Sequence, residues 1–139
     1  MSISKSARRA VRDRAGSCCE YCHLAESSGT VPFHVDHIRP LKHDGADDIS
    51  TLCLACYKCN AHNGHDLAGF DPATQKLTLL YNPRTQAWDE YFSLLPDMRI
   101  EGITPEGRTT VRVLQFNDPD RVETRQLLAE LGEYPCKKE

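Results

Sequence analysis

Phe33-His34-Val35-Asp36-His37-Ile38-Arg39-Pro40 lies between two Cys-x-x-Cys pairs, Cys19/Cys22 upstream and Cys56/Cys59 downstream, and Asn60 follows the second pair directly. Four cysteines in two such pairs read as a tetrahedral zinc site, because two intervening residues let both sulfurs turn toward one ion at about 2.3 Å. The segment between the pairs is much longer than in a simple zinc finger. The metal is therefore expected to join the two ends of a small strand–strand–helix unit. The Asp-His pair inside it sets a carboxylate, suited to Mg²⁺ or Mn²⁺, beside a histidine suited to taking a proton near neutral pH. Phosphodiester hydrolysis needs both: a base for water and a cation against the charge on phosphate and leaving oxygen. Asn60 can add a neutral oxygen ligand. Adjacent residues on an ideal strand point to opposite faces. Asp36 and His37 therefore converge only where the backbone bends, and Arg39-Pro40 offers such a bend. Alone, an Asp-His pair is more often a surface hydrogen-bonded pair than a catalytic one.

Outward from this stretch, Thr30 to Ile38 reads as a strand with Val31, Phe33 and Val35 on one face and His34 and Asp36 on the other. Thr51 to Leu54 reads as a second strand. Cys56 to His62 reads as a short helix closed by Asn63-Gly64. Upstream, Ser4 to Ala15 reads as a helix capped by Ser4 or Ser6, with Ala7, Ala10 and Val11 as its apolar stripe and Gly16 as its stop. Ser17 to His23 is a tight turn of zinc-knuckle shape. In the second half, Lys76–Tyr81, Trp88–Leu94, Arg99–Thr104 and Thr109–Phe116 are strand candidates between Pro, Gly and Asn turns, with Thr104-Pro105-Glu106-Gly107 as one such turn. Asp118-Pro119 starts a helix, with Asp118 as its cap, that runs to about Leu131, with Leu127, Leu128 and Leu131 apolar. The last residues, through Cys136, read as a loose tail.

A chain of 139 residues is by default one domain, and 40% hydrophobic with 7% aromatic content implies a modest core that a metal staple would support. No stretch approaches the ~18–20 apolar residues of a membrane span, and Met1-Ser2-Ile3-Ser4-Lys5 lacks the apolar core of a secretory signal. A soluble cytoplasmic protein is expected. In a reducing compartment the seven cysteines favour metal over disulfides, a disulfide framework being the alternative. Cys53 falls at an apolar strand position as a buried small residue. Cys18 competes with Cys19 as a ligand, but Cys19 has the better spacing. The formal charge of −3 is not that of a typical nucleic-acid binder. Its distribution matters more: Lys5, Arg8, Arg9, Arg12 and Arg14 face only Asp13 near the start, whereas the region after residue 118 is acidic. Such a basic edge suits a phosphate-bearing partner, although a charged helix face is usually just solvated.

The motifs Cys19-Glu20-Tyr21-Cys22, Phe33-His34-Val35-Asp36-His37-Ile38, His43-Asp44-Gly45 and Leu52-Cys53-Leu54-Ala55-Cys56-Tyr57-Lys58-Cys59-Asn60 together resemble the HNH endonuclease family over about residues 8 to 70. The resemblance implies an α+β fold: a ββα-metal (His-Me finger) core with a structural four-cysteine zinc site over 1–70. A C-terminal β-rich extension ending in a helix, 71–139, is expected to pack with it as one domain. It implies His37 as general base, Asp36 and Asn60 as ligands of a catalytic Mg²⁺ or Mn²⁺, and Cys19, Cys22, Cys56 and Cys59 as ligands of a structural Zn²⁺. His62 is a possible further metal ligand, and His34 a possible phosphate contact or a structural histidine. Arg8, Arg9 and Arg12 would grip a DNA backbone without reading sequence, and RNA is an open alternative. Two positions depart from the family pattern. Thr51 stands where an Asn braces the loop carrying the base, and a hydroxyl has fewer hydrogen bonds to give. Asn63 stands where a Lys is common. The function expected is metal-dependent cleavage of DNA. Its rivals are a non-catalytic zinc-stabilised nucleic-acid-binding module and a protein-interaction domain.

Overall fold

The computed structural model describes residues 3–38, 48–63 and 66–138. The expected bend at Arg39-Pro40, the His43-Asp44-Gly45 motif and the Gly64 stop lie outside the described residues.

Helix α1 (Lys5–Ala15) begins as its sequence dictates: the Ser4 hydroxyl accepts from the Ala7 N–H, and Gly16 closes the helix in the left-handed region at φ 63°. Its stripe is Ala7, Val11 and Ala15, all buried. Strand β1 (His34–His37) pairs antiparallel with β2 (Leu52–Ala55), Asp36 opposite Cys53 and His37 opposite Leu52. Phe33 and Val35 are buried as expected, whereas Val31 is exposed and precedes the strand. Helix α2 (Tyr57–Asn63) follows, and both α1 and α2 pack on this strand pair. That accounts for the burial of all four β2 residues.

Strand β3 (Ala68–Phe70), not foreseen from the sequence, pairs with β4 (Leu77–Leu79). Trp88 to Leu94 divides: Trp88–Tyr91 is one helical turn, α3, and only Phe92–Leu94 is a strand, β5, paired with β6 (Ile100–Gly102). Thr109 to Phe116 is not a strand. It belongs to helix α4 (Pro105–Val113) and the turn after it. The Thr104 hydroxyl accepts from the Gly107 N–H and Pro105 sits in the first turn, so the presumed turn is a helix start. The β-branched run Thr109-Thr110-Val111 has strand propensity. In the helix, however, the two fully buried hydroxyls donate to Pro105 and Glu106 carbonyls one turn back, at 2.8 Å each. The second half is thus mixed helix and strand, with three short strands and three helices among the described residues.

Helix α5 (Pro119–Glu130) occupies its expected span, but the Asp118 side chain makes no capping bond. Its inward residues are Arg121 and Arg125, 7% and 2% exposed, while Leu127 and Leu131 face solvent. The tail is not loose. Tyr134 is buried, and Cys136 forms a disulfide with Cys18 across a separation of 118 residues. The expectation of metal in place of disulfides is therefore corrected, because this chain has one disulfide as well as a gathered set of four cysteines. One core cluster runs through the whole fold, from Val11 through Leu52 and Leu54 to Phe92, Leu114 and Phe116. None of the described helices is long and apolar enough to cross a membrane.

Candidate metal centre and nuclease site

The two Cys-x-x-Cys pairs reach one point by different routes. Cys19 and Cys22 sit in a turn that starts through two left-handed residues, Gly16 and Ser17, and ends on a third, His23 at φ 65°. Within it the His23 N–H donates to the Cys19 carbonyl at 3.0 Å and the Cys22 N–H points at the Cys19 sulfur at 3.5 Å. Cys56 and Cys59 begin α2 in the same manner: the Asn60 N–H donates to the Cys56 carbonyl at 2.9 Å, and the Cys59 N–H points at the Cys56 sulfur at 3.4 Å. The four sulfurs lie within 4.8 Å of one another, and all four residues are buried. Burial pushes the Cys19 and Cys59 thiols up, whereas hydrogen bonding among the sulfurs, Cys19 foremost, holds Cys22 and Cys56 down. Four such groups cannot all ionise without a cation between them. A soft, four-sulfur, closed donor set is what structural zinc takes. The residues fit the ion expected from sequence. Cys18 is not a ligand, being bonded to Cys136.

The knuckle is clamped by the rest of the chain. Glu20 pairs with β2 twice: its N–H donates to the Leu54 carbonyl at 2.9 Å, and its carboxylate accepts from the Leu54 N–H at 2.8 Å. Arg84 donates to the other Glu20 oxygen. The Trp88 indole N–H donates to the Tyr21 carbonyl at 2.8 Å, the Tyr134 hydroxyl to the Cys22 carbonyl at 2.6 Å, and the Cys136 N–H to the His23 carbonyl at 2.9 Å. The sequence held no signal for these partners beyond their being polar or aromatic.

The other candidate residues are placed as follows. Asp36 is half-buried, and its Oδ1 accepts from the His37 N–H at 2.9 Å. The ladder continues regularly to Ile38, whose N–H donates to the Thr51 carbonyl at 2.9 Å. The register therefore sets Asp36 with Cys53 on one face and His37 with Leu52 on the other, and no bend brings the pair together within the described residues. Cys53, opposite Asp36 on β2, is a buried thiol donating to the Tyr21 hydroxyl at 3.6 Å, and burial pushes its pKa up to about 12. Asn60 is half-buried on α2, its amide without a hydrogen-bond partner among the described residues, and His62 is half-buried in the last turn. His34 is exposed, its ring 6.4 Å from that of Tyr57. Among the described residues, the four cysteines are the one group of three or more His, Cys, Asp or Glu placed to hold a metal; Asp36, His37 and His62 do not form a second.

Thr51 closes the turn before β2: its hydroxyl donates to the Asp48 carbonyl at 2.8 Å. Arg14, not singled out as a site residue, holds the same turn from outside through the Ile49 and Leu52 carbonyls at 2.7 and 2.6 Å. Arg12 is engaged within the chain, donating to both Glu26 oxygens at 3.3 and 3.2 Å and to the Phe33 carbonyl at 2.9 Å. Arg8 and Arg9 are exposed, and Arg8 donates to the Ile3 carbonyl at 3.2 Å. Asn63 is buried and so is not placed as a surface phosphate contact.

No curated protein and no solved structure matches the chain. Residues 19–66, the stretch that runs from the first cysteine of the cluster past the last and encloses Asp36-His37, match the family model described as HNH endonuclease.

Proposed function

We propose that this chain is a divalent-metal-dependent endonuclease acting on DNA, RNA being the alternative polymer. The observation that carries the reading is the coincidence of that family match with a gathered set of four cysteines flanking the Asp36-His37 strand. In this reading β1, β2 and α2 are a ββα-metal core within residues 1–70, the zinc is structural, and residues 71–139 pack with the core as one unit. His37 takes the proton from the attacking water. Asp36 and Asn60, a carboxylate and an amide oxygen, are hard donors suited to Mg²⁺ or Mn²⁺. A divalent ion there supplies positive charge against the crowded phosphate and the leaving oxygen. Arg8 and Arg9 are the exposed arginines of α1 that meet the backbone phosphates; Arg12 serves the fold. His34 and His62 are second-rank contacts. Thr51 and Arg14 hold the turn that leads into β2.

The test is nicking of supercoiled plasmid with and without Mg²⁺ or Mn²⁺. His37→Ala is expected to lower the rate by about 10²–10⁴-fold with the fold intact, and Asp36→Ala to weaken the dependence on the ion as well. Wild-type nicking by His37→Ala would remove the base from this position. A second reading, a zinc-stabilised binding module without cleavage, is favoured by the register that separates Asp36 from His37. It predicts DNA affinity indifferent to both substitutions and no nicking by the wild type.

A further inference from the structure

Helix α5 buries two guanidinium groups, and among the described residues neither makes an ion pair with a carboxylate. Taking such a charge out of water costs several kcal/mol unless an anion answers it. The Arg121 Nη2 donates to the Cys59 sulfur at 3.0 Å and points at the Cys56 sulfur at 3.9 Å. Its Nη1 is fixed by the Leu114 and Gln115 carbonyls at 2.6 and 3.2 Å, and its guanidinium carbon lies 5.7 Å from the Phe116 ring centre. Arg125 is held one turn on by the Met98 carbonyl at 2.8 Å and by Asn117 at 3.2 Å. Both line a cavity of about 120 Å³ whose wall includes Cys22, Cys56, Lys58 and Asp120. Of the two, Arg121 is the one within hydrogen-bond reach of the sulfur cluster, and Arg125 lines the same cavity beside it.

We propose that Arg121, with Arg125 beside it, is the charge-compensating partner of the tetrathiolate zinc centre and keeps the ion from leaving. The inference rests on the zinc reading above. Four thiolates around a dication carry a net charge of about −2, and two arginines bring the buried ensemble to neutrality. The bond to Cys59 also withdraws electron density from that sulfur, which makes it a poorer nucleophile. Both effects oppose loss of the metal through capture of one sulfur. Arg121 is a positioning residue for the metal and has no part in the chemistry on a phosphodiester.

The experiment starts with zinc content and chelator competition on the wild-type chain, then on Arg121→Met and Arg121→Lys, and repeats the set with cobalt in place of zinc. Arg121→Met is expected to bind zinc about 10–100-fold more weakly, as loss of such an outer partner generally does. Its sulfur-to-cobalt charge-transfer band should move to longer wavelength, because the Cys59 sulfur regains electron density. Arg121→Lys restores the charge without the forked donor, and should recover most of the affinity while its band stays shifted. A wild-type chain that folds without zinc overturns the zinc reading and this inference with it. A zinc-loaded wild type with both variants matching it in affinity and band position overturns the inference alone. If Arg121→Met does not fold, the Arg121→Lys band decides: shifted supports the bond, unshifted refutes it.

Discussion

Substituting Cys136 by Ser removes one sulfur and leaves every other tie of the C-terminal tail in place, including the Tyr134 hydroxyl on the Cys22 carbonyl and the Cys136 N–H on the His23 carbonyl. What disappears is the constraint on the unfolded chain. A cross-link spanning 118 residues is worth about 5 kcal/mol on the chain-entropy argument. When zinc already joins Cys19 to Cys59, the loop that the disulfide closes runs only from Cys59 to Cys136. The dependence is logarithmic, so the figure falls by only about 0.4 kcal/mol. Removing a native disulfide from a small domain typically costs about 2–5 kcal/mol, and that is the loss expected here. Urea unfolding followed by fluorescence of Trp88, the one tryptophan, suits the measurement: the indole lies against His23 at 4.2 Å between ring centres and donates to the knuckle. With a urea slope of ~1–3 kcal/mol per molar, the midpoint should fall by on the order of 1–2 M. Reduced wild type should unfold where Cys136→Ser does. The reasoning fails if Cys136→Ser keeps the midpoint of a wild type whose intact mass is two hydrogens below that of the reduced chain.

Elemental analysis of the purified protein should find one zinc per chain, and Ser at Cys19, Cys22, Cys56 or Cys59 should abolish both zinc and fold, since structural zinc supplies ~10–16 kcal/mol of apparent binding energy; a folded, zinc-free sample would contradict this. Neutralising Arg8 and Arg9 should weaken DNA binding alike for all sequences and flatten the log–log salt slope by ~0.9 for each phosphate that the two side chains had neutralised; an unchanged slope returns them to a solvated face. Burial alone pushes Glu26 up, yet the hydrogen bonds from Arg12 and from the Phe33 N–H hold its carboxyl below the usual range. Its contribution is therefore present above the unfolded value and lost as pH falls through the folded one. Glu26→Gln should accordingly lower the thermal midpoint at pH 7 and lower it less as acid carries the solution below the ordinary carboxylate range, and a loss that does not shrink on acidification would show that charge is not what Glu26 supplies.

The front half was legible in the sequence because its signals are local. Ser4 and Gly16 bracket α1, Phe33 and Val35 alternate with His34 and Asp36, and each cysteine pair folds within a few residues of itself. The back half misled where local propensity and tertiary context disagree. Thr109 and Thr110 carry strand preference, but their hydroxyls find helical carbonyls within reach. Leu127 and Leu131 are the apolar residues of the α5 sequence yet face solvent, and Arg121 turns inward to sulfurs more than 60 residues away, which no local pattern announces. Cys18 and Cys136 are further apart still, and no spacing rule pairs them. The roles proposed for Asp36, His37 and Asn60 rest on the motif and not on any geometry that gathers them.

The covering of the sulfur cluster has a consequence for the order in which the protein is made. All four sulfurs lie between Cys19 and Cys59, whereas Arg121, Tyr134 and Cys136 come more than 60 residues later. A chain emerging from its N-terminus therefore has all four cysteines made while α5 and the Cys136 segment are still unmade. On the zinc reading, metal would enter early without displacing anything. Once Arg121 and Cys136 dock, the way out would lie beneath a buried arginine and a cross-linked segment. A protein with this chain order is easy to load once and hard to reload, and refolding the finished chain without metal starts from a different problem than synthesis did.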